Sequence, residues 1–194
     1  MPPHSHPSPA PDAAPDLTQH AAPDLLTDTA GLDPAAFRRT LGQFATGVAI
    51  VAAQGPDGAM VGMTMSSFNA VSLDPPLVLF SVARTARSLP VLRAAAAYGI
   101  SVLARHQEAL SARFARPLSP KWADLDIARG DGGAPLIPGA AAHLVCVPHA
   151  IHDGGDHEIF VARVRAHGAR PAADPLIFHA GRYRSLAHGE RTAP

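Results

Sequence analysis

The sequence predicts a mainly-β protein that folds as a closed or partly closed β-barrel with a few peripheral helices. Several short apolar segments separated by turn residues are typical of strands. Only three modest helical patterns accompany them, and strands and helices do not alternate as they would in a doubly wound parallel sheet. We therefore expect short strands that are joined mainly by turns.

Length and composition set the organisation of the chain. It has 194 residues, of which 47% are hydrophobic and 16% are charged, which is enough for one substantial core. We predict a folded domain at 33–187. Residues 1–32 are rich in Pro and Ala and keep no helical or strand period, so we expect a disordered tail there, and we expect a second short tail at 188–194.

Charge and cysteine content exclude some classes of partner. The formal net charge is +0 and no basic block occurs, so we expect neither a nucleic-acid surface nor an anionic-membrane surface. No apolar run approaches the roughly 18 residues of a membrane-spanning helix. The one cysteine, Cys146, lies among apolar residues, and we expect a buried, inert thiol in a cytoplasmic protein.

The folded part opens with a short amphipathic helix. Asp33 suits the N-cap, Pro34 suits the first helical position, and the helix is expected to run through Gln43. Residues 46–53 are predicted to form one buried strand, and the sequence QGPDG at 54–58 predicts a hairpin turn.

Residues 62–82 combine short hydroxyl side chains, apolar side chains and a prolyl turn, without a basic residue. We expect two strands here, because Asp74 and the two prolines after it force a turn before the apolar run at 77–80. Such a segment can offer a flat polar ring both hydrogen bonds and an apolar wall. The side chains that would do so are Thr64, Met65, Ser66, Ser67 and Phe68.

A candidate anion site follows this segment. Arg84 and Arg87 come just before the segment VLRAAAA, which we predict to be a helix capped by Ser88. The free N–H groups at a helix start favour an anion, and an arginine would strengthen its binding. We therefore expect a phosphate group here.

The rest of the domain is predicted to contain strands, one helix and one long loop. In chain order these are a strand at 98–103, a helix at 106–114, a loop at 116–138, strands at 141–151 and 157–167 on either side of a tight turn, and a last strand pair within 176–186. The GxGxxG and GxxxxGK[ST] phosphate signatures are absent, and so are GxSxG and HExxH. Rossmann, P-loop, serine hydrolase and zincin chemistry is therefore not predicted.

Six segments in order span nearly all of the predicted domain. They are FATGVAIV (44–51), GMTMSSFNAVSLDPPLVLFSV (62–82), ARS (86–88), SVLARHQEALSARFA (101–115), GDHEIFVARV (155–164) and PLIFHAGRYRSL (175–186). In these segments, from about Phe37 to Leu186, the chain resembles the flavin reductase family, the NAD(P)H:flavin oxidoreductase components of two-component flavin monooxygenases.

The resemblance implies an FMN-binding split β-barrel of the Greek-key type and a homodimer with its site near the subunit interface. It implies FMN or FAD as the flavin and NADH or NADPH as the hydride donor, with reduced flavin passed to a separate monooxygenase. Hydride passes directly between the two cofactors, so the protein mainly stacks their rings and stabilises the negative charge that arrives on the flavin. No catalytic acid or base is predicted.

The resemblance also implies site residues. Two positions depart from the family's usual pattern, since Asn is common at Ser101 and a smaller residue is common at Met65. The residues expected beside the nicotinamide nucleotide are His157, His179 and Tyr183. The residues expected beside the flavin are Thr46, Met63, Thr64, Met65, Ser66, Ser67, Phe68, Phe80, Ser81, Val82, Ala83, Arg84, Arg87, Ser88, Ser101, Val102 and Leu103.

Alternatives stay open at this point. The hydroxyl residues at 64–67 would serve equally as strand residues that exchange cross-strand hydrogen bonds, and the two arginines as solvated surface charges. Trp122 suits either a cover over the cofactor or an anchor to a partner subunit. One alternative function is a non-catalytic flavin carrier of the same fold. Another is a metal-dependent β-barrel enzyme that uses His149, His152 and His157, although their spacing matches no closed ligand pattern.

Overall fold

The computed structural model describes residues 30–117 and 120–187. Residues 1–29 of the predicted N-terminal tail, and all of the predicted C-terminal tail at 188–194, lie outside the described residues. The domain boundaries therefore stay a prediction.

The described chain divides into two units within its first helix, α1, Pro34–Leu41. In the first unit, Asp33 Oδ1 accepts a hydrogen bond from the amide of Ala35 at 2.8 Å, which confirms the predicted N-cap. The helix ends at Leu41 and not at Gln43. Leu41 and Phe44 are exposed.

The second unit is mainly β. Its strands within the described residues are β1 (Thr46–Gly47), β2 (Ala49–Gln54), β3 (Met60–Met65), β4 (Asn69–Leu73), β5 (Pro76–Ala83), β6 (Tyr98–Val102), β7 (Ala128–Arg129), β8 (Pro135–Leu136), β9 (Ala142–Gly154), β10 (His157–Ala169), β11 (Ile177–His179) and β12 (Arg182–Arg184). Two further helices are α2 (Leu89–Ala94) and α3 (Glu108–Ala115), and both pack against β2 and β3. Short 3₁₀ turns occupy Arg105–Gln107 and Asp131–Gly133.

Seven strands form one antiparallel sheet in the order β3-β2-β6-β9-β10-β5-β4. Its two edge strands, β3 and β4, are consecutive in the chain and are joined only by residues 66–68. The sheet must therefore curve until these edges approach one another, which gives a barrel that stays open along one seam. A three-stranded sheet (β1-β11-β12) and the β7-β8 hairpin complete the fold. The prediction of a mainly-β barrel with few helices is confirmed.

An aromatic cluster fills the centre of the barrel. The rings of Phe80 and Phe160 stack with centroids 5.1 Å apart, and Tyr98 meets Phe80 edge-on at 5.4 Å. The hydroxyl group of Tyr98 is satisfied by donation to the carbonyl of Leu92 at 3.0 Å. This cluster accounts for the burial of alternate residues along β5.

The predicted strand at 46–53 is wrong in one respect, because it is two strands. Thr46 and Gly47 pair with β11, whereas the chain from Ala49 onward pairs with β3 and β6, so the chain changes sheets at Val48. The QGPDG hairpin is confirmed, since Gln54 pairs with Met60 across it.

Three other local predictions are corrected. Residues 62–82 form three strands and not two, because the hydroxyl-rich segment ends β3 and a separate β4 precedes the prolyl turn. The predicted loop at 116–138 contains the β7-β8 hairpin. Ser88 occupies the N-cap position of α2, but its side chain makes no capping hydrogen bond.

No helix within the described ranges is long and apolar enough to cross a bilayer.

Candidate functional site

A pocket of about 710 Å³ lies beside β3, and its volume is in the range typical of sites for small molecules and cofactors. Four parts of the chain form its walls: β3, the turn between β5 and α2, the end of α3, and the loop after α3. The described residues that line it are Met60, Val61, Gly62, Met63, Thr64, Thr85, Ala86, Arg87, Ser88, Phe114, Ala115, Pro117, Pro120, Lys121, Trp122 and Ala123.

One wall of the pocket is aromatic. The rings of Phe114 and Trp122 meet edge to face with centroids 4.9 Å apart, and Trp122 Nε1 donates a hydrogen bond to the carbonyl of Met60 at 3.2 Å. A Cβ atom at Gly62 would lie 2.7 Å from Phe114 and 2.9 Å from Trp122. Glycine therefore lets both rings pack directly on β3, and the wall offers apolar surface to a planar ligand.

The pocket carries positive charge. Lys121 Nζ donates to the carbonyls of Gly62 at 2.9 Å and Phe114 at 2.8 Å, and burial lowers the pKa of this ammonium group. An ammonium group has three donors, so one remains after these two bonds. Arg87 is the second cation of the lining, and none of the described lining residues is Asp or Glu. Such a pocket favours an anionic ligand.

Ser111 connects the pocket to β12 through its backbone carbonyl and its hydroxyl group. Thr64 Oγ1 donates to the carbonyl of Ser111 at 2.7 Å, and the hydroxyl of Ser111 lies 2.8 Å from that of Tyr183. Ser111 is completely buried on α3. Because Thr64 already donates its only hydroxyl hydrogen to Ser111, it can accept a hydrogen bond from a ligand but cannot donate one.

Comparison with known proteins identifies the family. The family model described as "Flavin reductase like domain" matches residues 41–187. The chain belongs to the flavin reductase family. It is 37% identical over 163 residues to the reductase subunit of a flavin-dependent monooxygenase from Rhodococcus jostii, a match that covers 84% of this chain and 83% of that protein. It is 44% identical over 153 residues to an FMN reductase (NADH) from Agrobacterium fabrum, covering 79% of this chain and 86% of that protein.

The fold is also shared with solved flavin reductases. A Streptomyces globisporus NADH:FAD oxidoreductase, solved in complex with NAD and FAD fragments, matches with a TM-score of 0.79 and 38% identity, covering 86% of this chain and 99% of that chain. The predicted membership of the flavin reductase family and the predicted split barrel are therefore both confirmed.

Four of the residues predicted to contact flavin line the pocket of this flavin reductase. Met63 and Thr64 lie on β3, and Arg87 and Ser88 lie on the turn before α2. The two groups meet, since the hydroxyl of Ser88 donates to the sulfur of Met63 at 3.4 Å. The structure thus brings the expected ring-binding strand and the expected phosphate-binding turn into one pocket.

The other predicted flavin residues do not line this pocket, and several have structural partners. Ser67 Oγ accepts from the Ser81 amide at 3.0 Å and lies 3.3 Å from the Ser81 carbonyl, which is the cross-strand alternative. Ser101 Oγ accepts from the amide of Ile137 at 3.0 Å. The remaining predicted residues also lie outside the pocket lining. Met65, Phe80, Val82 and Leu103 are buried, and the others are Thr46, Ser66, Phe68, Ala83 and Val102.

The guanidinium group of Arg84 is held by other parts of the protein and is not placed for the expected contact with phosphate. Its Nε donates to the carbonyl of Gly155 at 2.8 Å, its Nη1 donates to Glu158 Oε1 at 2.9 Å, and its Nη2 pairs with Asp153. In the described part of the chain no ion pair involves Arg87. Of the two arginines, Arg87 is therefore the one available to a ligand in the pocket.

The three residues expected on the nicotinamide side are not equally close to the pocket. Tyr183 is joined to Thr64 through Ser111. His157 pairs with Ala83 across β10 and β5, and its Nδ1 lies 2.7 Å from the carboxylate of Asp156. Hydrogen bonding to His157 holds the pKa of the Asp156 carboxyl below its ordinary value. His179 is half-buried on β11 and is not among the pocket residues.

The geometry gives no support to the metal alternative. His149 and His152 are exposed on β9. Within residues 30–117 and 120–187, no three His, Cys, Asp or Glu side chains are arranged to hold a metal ion. Cys146 is completely buried, as expected, and burial raises the pKa of its thiol to about 12, which favours the unreactive protonated form.

Most residues of the pocket lining were not predicted from the sequence. Among them are Lys121 and Phe114, which drew no functional prediction. The adjacent pair Lys121-Trp122 is a signal in the sequence, because it places one cation and one aromatic ring in a loop otherwise rich in small residues and proline. No local pattern could place that loop against β3.

Proposed function

We propose that this flavin reductase binds FMN or FAD in the pocket beside β3 and reduces it with NADH or NADPH. The observation that carries the proposal is that one pocket combines an aromatic wall, two cations and four residues expected to contact flavin. The Agrobacterium and Streptomyces relatives named above use NADH, which supports NADH as the donor here.

The residues present fit a flavin. Phe114 and Trp122 offer apolar surface to the tricyclic ring, and Thr64, as an obligate acceptor, suits the imide N–H of that ring. The charge of Arg87 and the hydroxyl of Ser88 suit its phosphate. Bound flavin supplies the hydride-accepting atom, a function that no side chain of the protein replaces.

Lys121 contributes electrostatic stabilisation in this proposal. Reduction adds negative charge to the ring, and a partly buried ammonium group held on two carbonyls is already oriented before that charge arrives. In this proposal the pocket residues position the ligand and stabilise charge, and no proton transfer is assigned to them.

We assign Tyr183 and His157 to the nicotinamide nucleotide. Tyr183 supports this because Ser111 links it to Thr64 of the pocket wall, and His157 because it pairs with Ala83, the last residue of β5. The other predicted site residues, including His179, stay proposals without a contact to the pocket.

The proposed reaction also implies partners. Reduced flavin leaves for a separate monooxygenase, and the relative from Rhodococcus jostii supports this because it is itself a monooxygenase reductase subunit. We further propose a homodimer. We also propose that the reaction takes place in the cytoplasm, where nicotinamide nucleotides are available as hydride donors.

The test is a steady-state assay of the purified protein that crosses FMN and FAD with NADH and NADPH. We expect oxidation of NADH that depends on added flavin and saturates with it, together with quenching of flavin fluorescence on binding. Failure to oxidise either nucleotide with either flavin would contradict the proposal. Flavin binding without nucleotide oxidation would instead support the flavin carrier.

A further inference from the structure

Glu158 is a buried carboxylate outside the pocket, at the start of β10. Its side chain is only 6% exposed, and guanidinium groups contact both of its oxygens. Arg84 Nη1 donates to Oε1 at 2.9 Å, Arg93 Nε donates to Oε2 at 2.9 Å, and Arg93 Nη2 also donates to Oε1. The hydrogen bonds from Arg93, aided by the charge of Arg84, hold the pKa of Glu158 below its ordinary value.

The two arginines flank the turn at 85–88 that lines the pocket. Arg84 immediately precedes this turn, and Arg93 lies on α2, which immediately follows it. One carboxylate on β10 therefore connects the residue before the turn and the helix after it to the barrel. The residue before the turn is fixed further, because the amide of Arg84 donates to the carbonyl of Asp156 at 2.9 Å.

The same cluster sets which arginine can serve a ligand. Arg84 is neutralised by Glu158 and Asp153, so its charge is already satisfied by the protein. Arg87 lines the pocket and carries the charge that is left for an anion. The difference between the two arginines thus depends on Glu158.

We propose that Glu158 is a positioning residue for the turn at 85–88, which holds Arg87 and Ser88 in the geometry that binds the phosphate of the flavin. The inference rests on the proposed function, since it assigns the phosphate to this turn. Glu158 is not among the residues that line the pocket, so it acts through Arg84 and Arg93 and not by contact with the flavin.

Glu158→Gln tests this role, because it keeps the shape of the side chain and removes its charge. The dissociation constants of FMN and of riboflavin, which lacks the phosphate, are measured by quenching of flavin fluorescence. We expect the dissociation constant of FMN to rise about tenfold, because charge-assisted bonds to the phosphate are lost with the turn geometry. The constant for riboflavin is expected to stay within about twofold of the wild-type value.

Asp153→Asn is the matched control. It removes the same charge from the same cluster, but the Asp153 side chain is 78% exposed, so its pairing with Arg84 is screened by water. We expect its effect on FMN binding to be smaller than about threefold. Arg93→Gln removes one of the two connections at an exposed position and should weaken FMN selectively, so it tests the inference even where Glu158→Gln does not fold.

Each outcome separates the inference from the proposed function. Wild-type protein that binds none of FMN, riboflavin and FAD overturns the proposed function. Wild-type protein that prefers FMN, together with Glu158→Gln and Arg93→Gln variants that keep the same preference, overturns only the positioning role. Equal weakening of FMN and riboflavin also overturns it, because general destabilisation would then account for the loss.

Discussion

Arg84 and Arg87 are three residues apart in one predicted anion site, yet their surroundings give them different functions. Two carboxylates bind the guanidinium group of Arg84, whereas Arg87 faces the pocket. Thr64 shows the same dependence on context, since its bond to Ser111 turns a hydroxyl group into an acceptor alone. At the residue scale, side-chain type predicted which chemistry is possible, and the neighbours decided which of it is used.

Lys121 provides a test at this scale. Lys121→Met removes the charge but keeps a long side chain, and we expect the dissociation constant for FMN to rise about tenfold, since charge-assisted hydrogen bonds contribute about 1.5–3 kcal/mol. The dissociation constant is measured as a function of ionic strength. Its dependence on ionic strength should be weaker in the variant, because one screened charge is lost. Lys121→Arg is the control and should keep the salt dependence. An unchanged salt dependence in Lys121→Met would contradict the assigned electrostatic role.

At the scale of elements, the β7-β8 hairpin is a part of the fold that could not be predicted from the sequence. Its two strands have two residues each and lie in a segment rich in Gly and Pro, so no strand period is visible. Its place is set by close approach to β6: a Cβ atom at Gly99 would lie 1.9 Å from the carbonyl oxygen of Pro135. Only glycine allows the two backbones to come this close.

Gly99→Ala tests that packing. The added methyl group would meet backbone and not a flexible side chain, so we expect the free energy of unfolding to fall by about 3 kcal/mol, which corresponds to a Tm lower by about 10 °C. Thermal unfolding measures the change. Gly168→Ala, on β10 with nothing within 4 Å of its Cβ position, is the control and should shift the stability by less than about 1 kcal/mol. Equal effects of the two substitutions would contradict the close approach of β6 and β8.

At the scale of the whole molecule, the open seam of the barrel leaves an exposed edge. Among the strands of the described residues, the edge strand β4 pairs with β5 alone, and it carries Val71, which is 48% exposed, and Leu73, which is 93% exposed. An exposed edge with apolar side chains is a favourable surface for a second chain. This supports the proposed homodimer.

The mass in solution tests the dimer. Light scattering coupled to size exclusion should give twice the chain mass of 20.1 kDa. Leu73→Asp places a charge on the edge and should shift the mass toward that of one chain, because burying an unpaired charge is costly. Leu186→Asp changes another exposed leucine outside this edge and should leave the mass unchanged. A wild-type mass of one chain would overturn the homodimer.

The sequence by itself determined the fold class, most strands, the hairpin at 54–58, the prolyl turn before β5 and the flavin reductase family. These follow from local rules, because turn residues and strand periods act over a few positions, and from six segments kept in order. It also predicted the flavin-binding role of the two stretches, 63–64 and 87–88, that meet in the pocket. The predictions of strand ends and of short strands were less accurate, because these features are determined by long-range pairing.

Only the tertiary structure decided which residues face the pocket. Alternate side chains of β5 point into the barrel, so Phe80 and Val82 enter the core, whereas Met63 and Thr64 lie on the edge strand β3 that borders the pocket. Strand register and sheet curvature decide these positions. Lys121 binds the carbonyl of Gly62 across 59 residues of chain. No local preference encodes a contact at that separation, because it exists only once the barrel has brought the loop and the strand together.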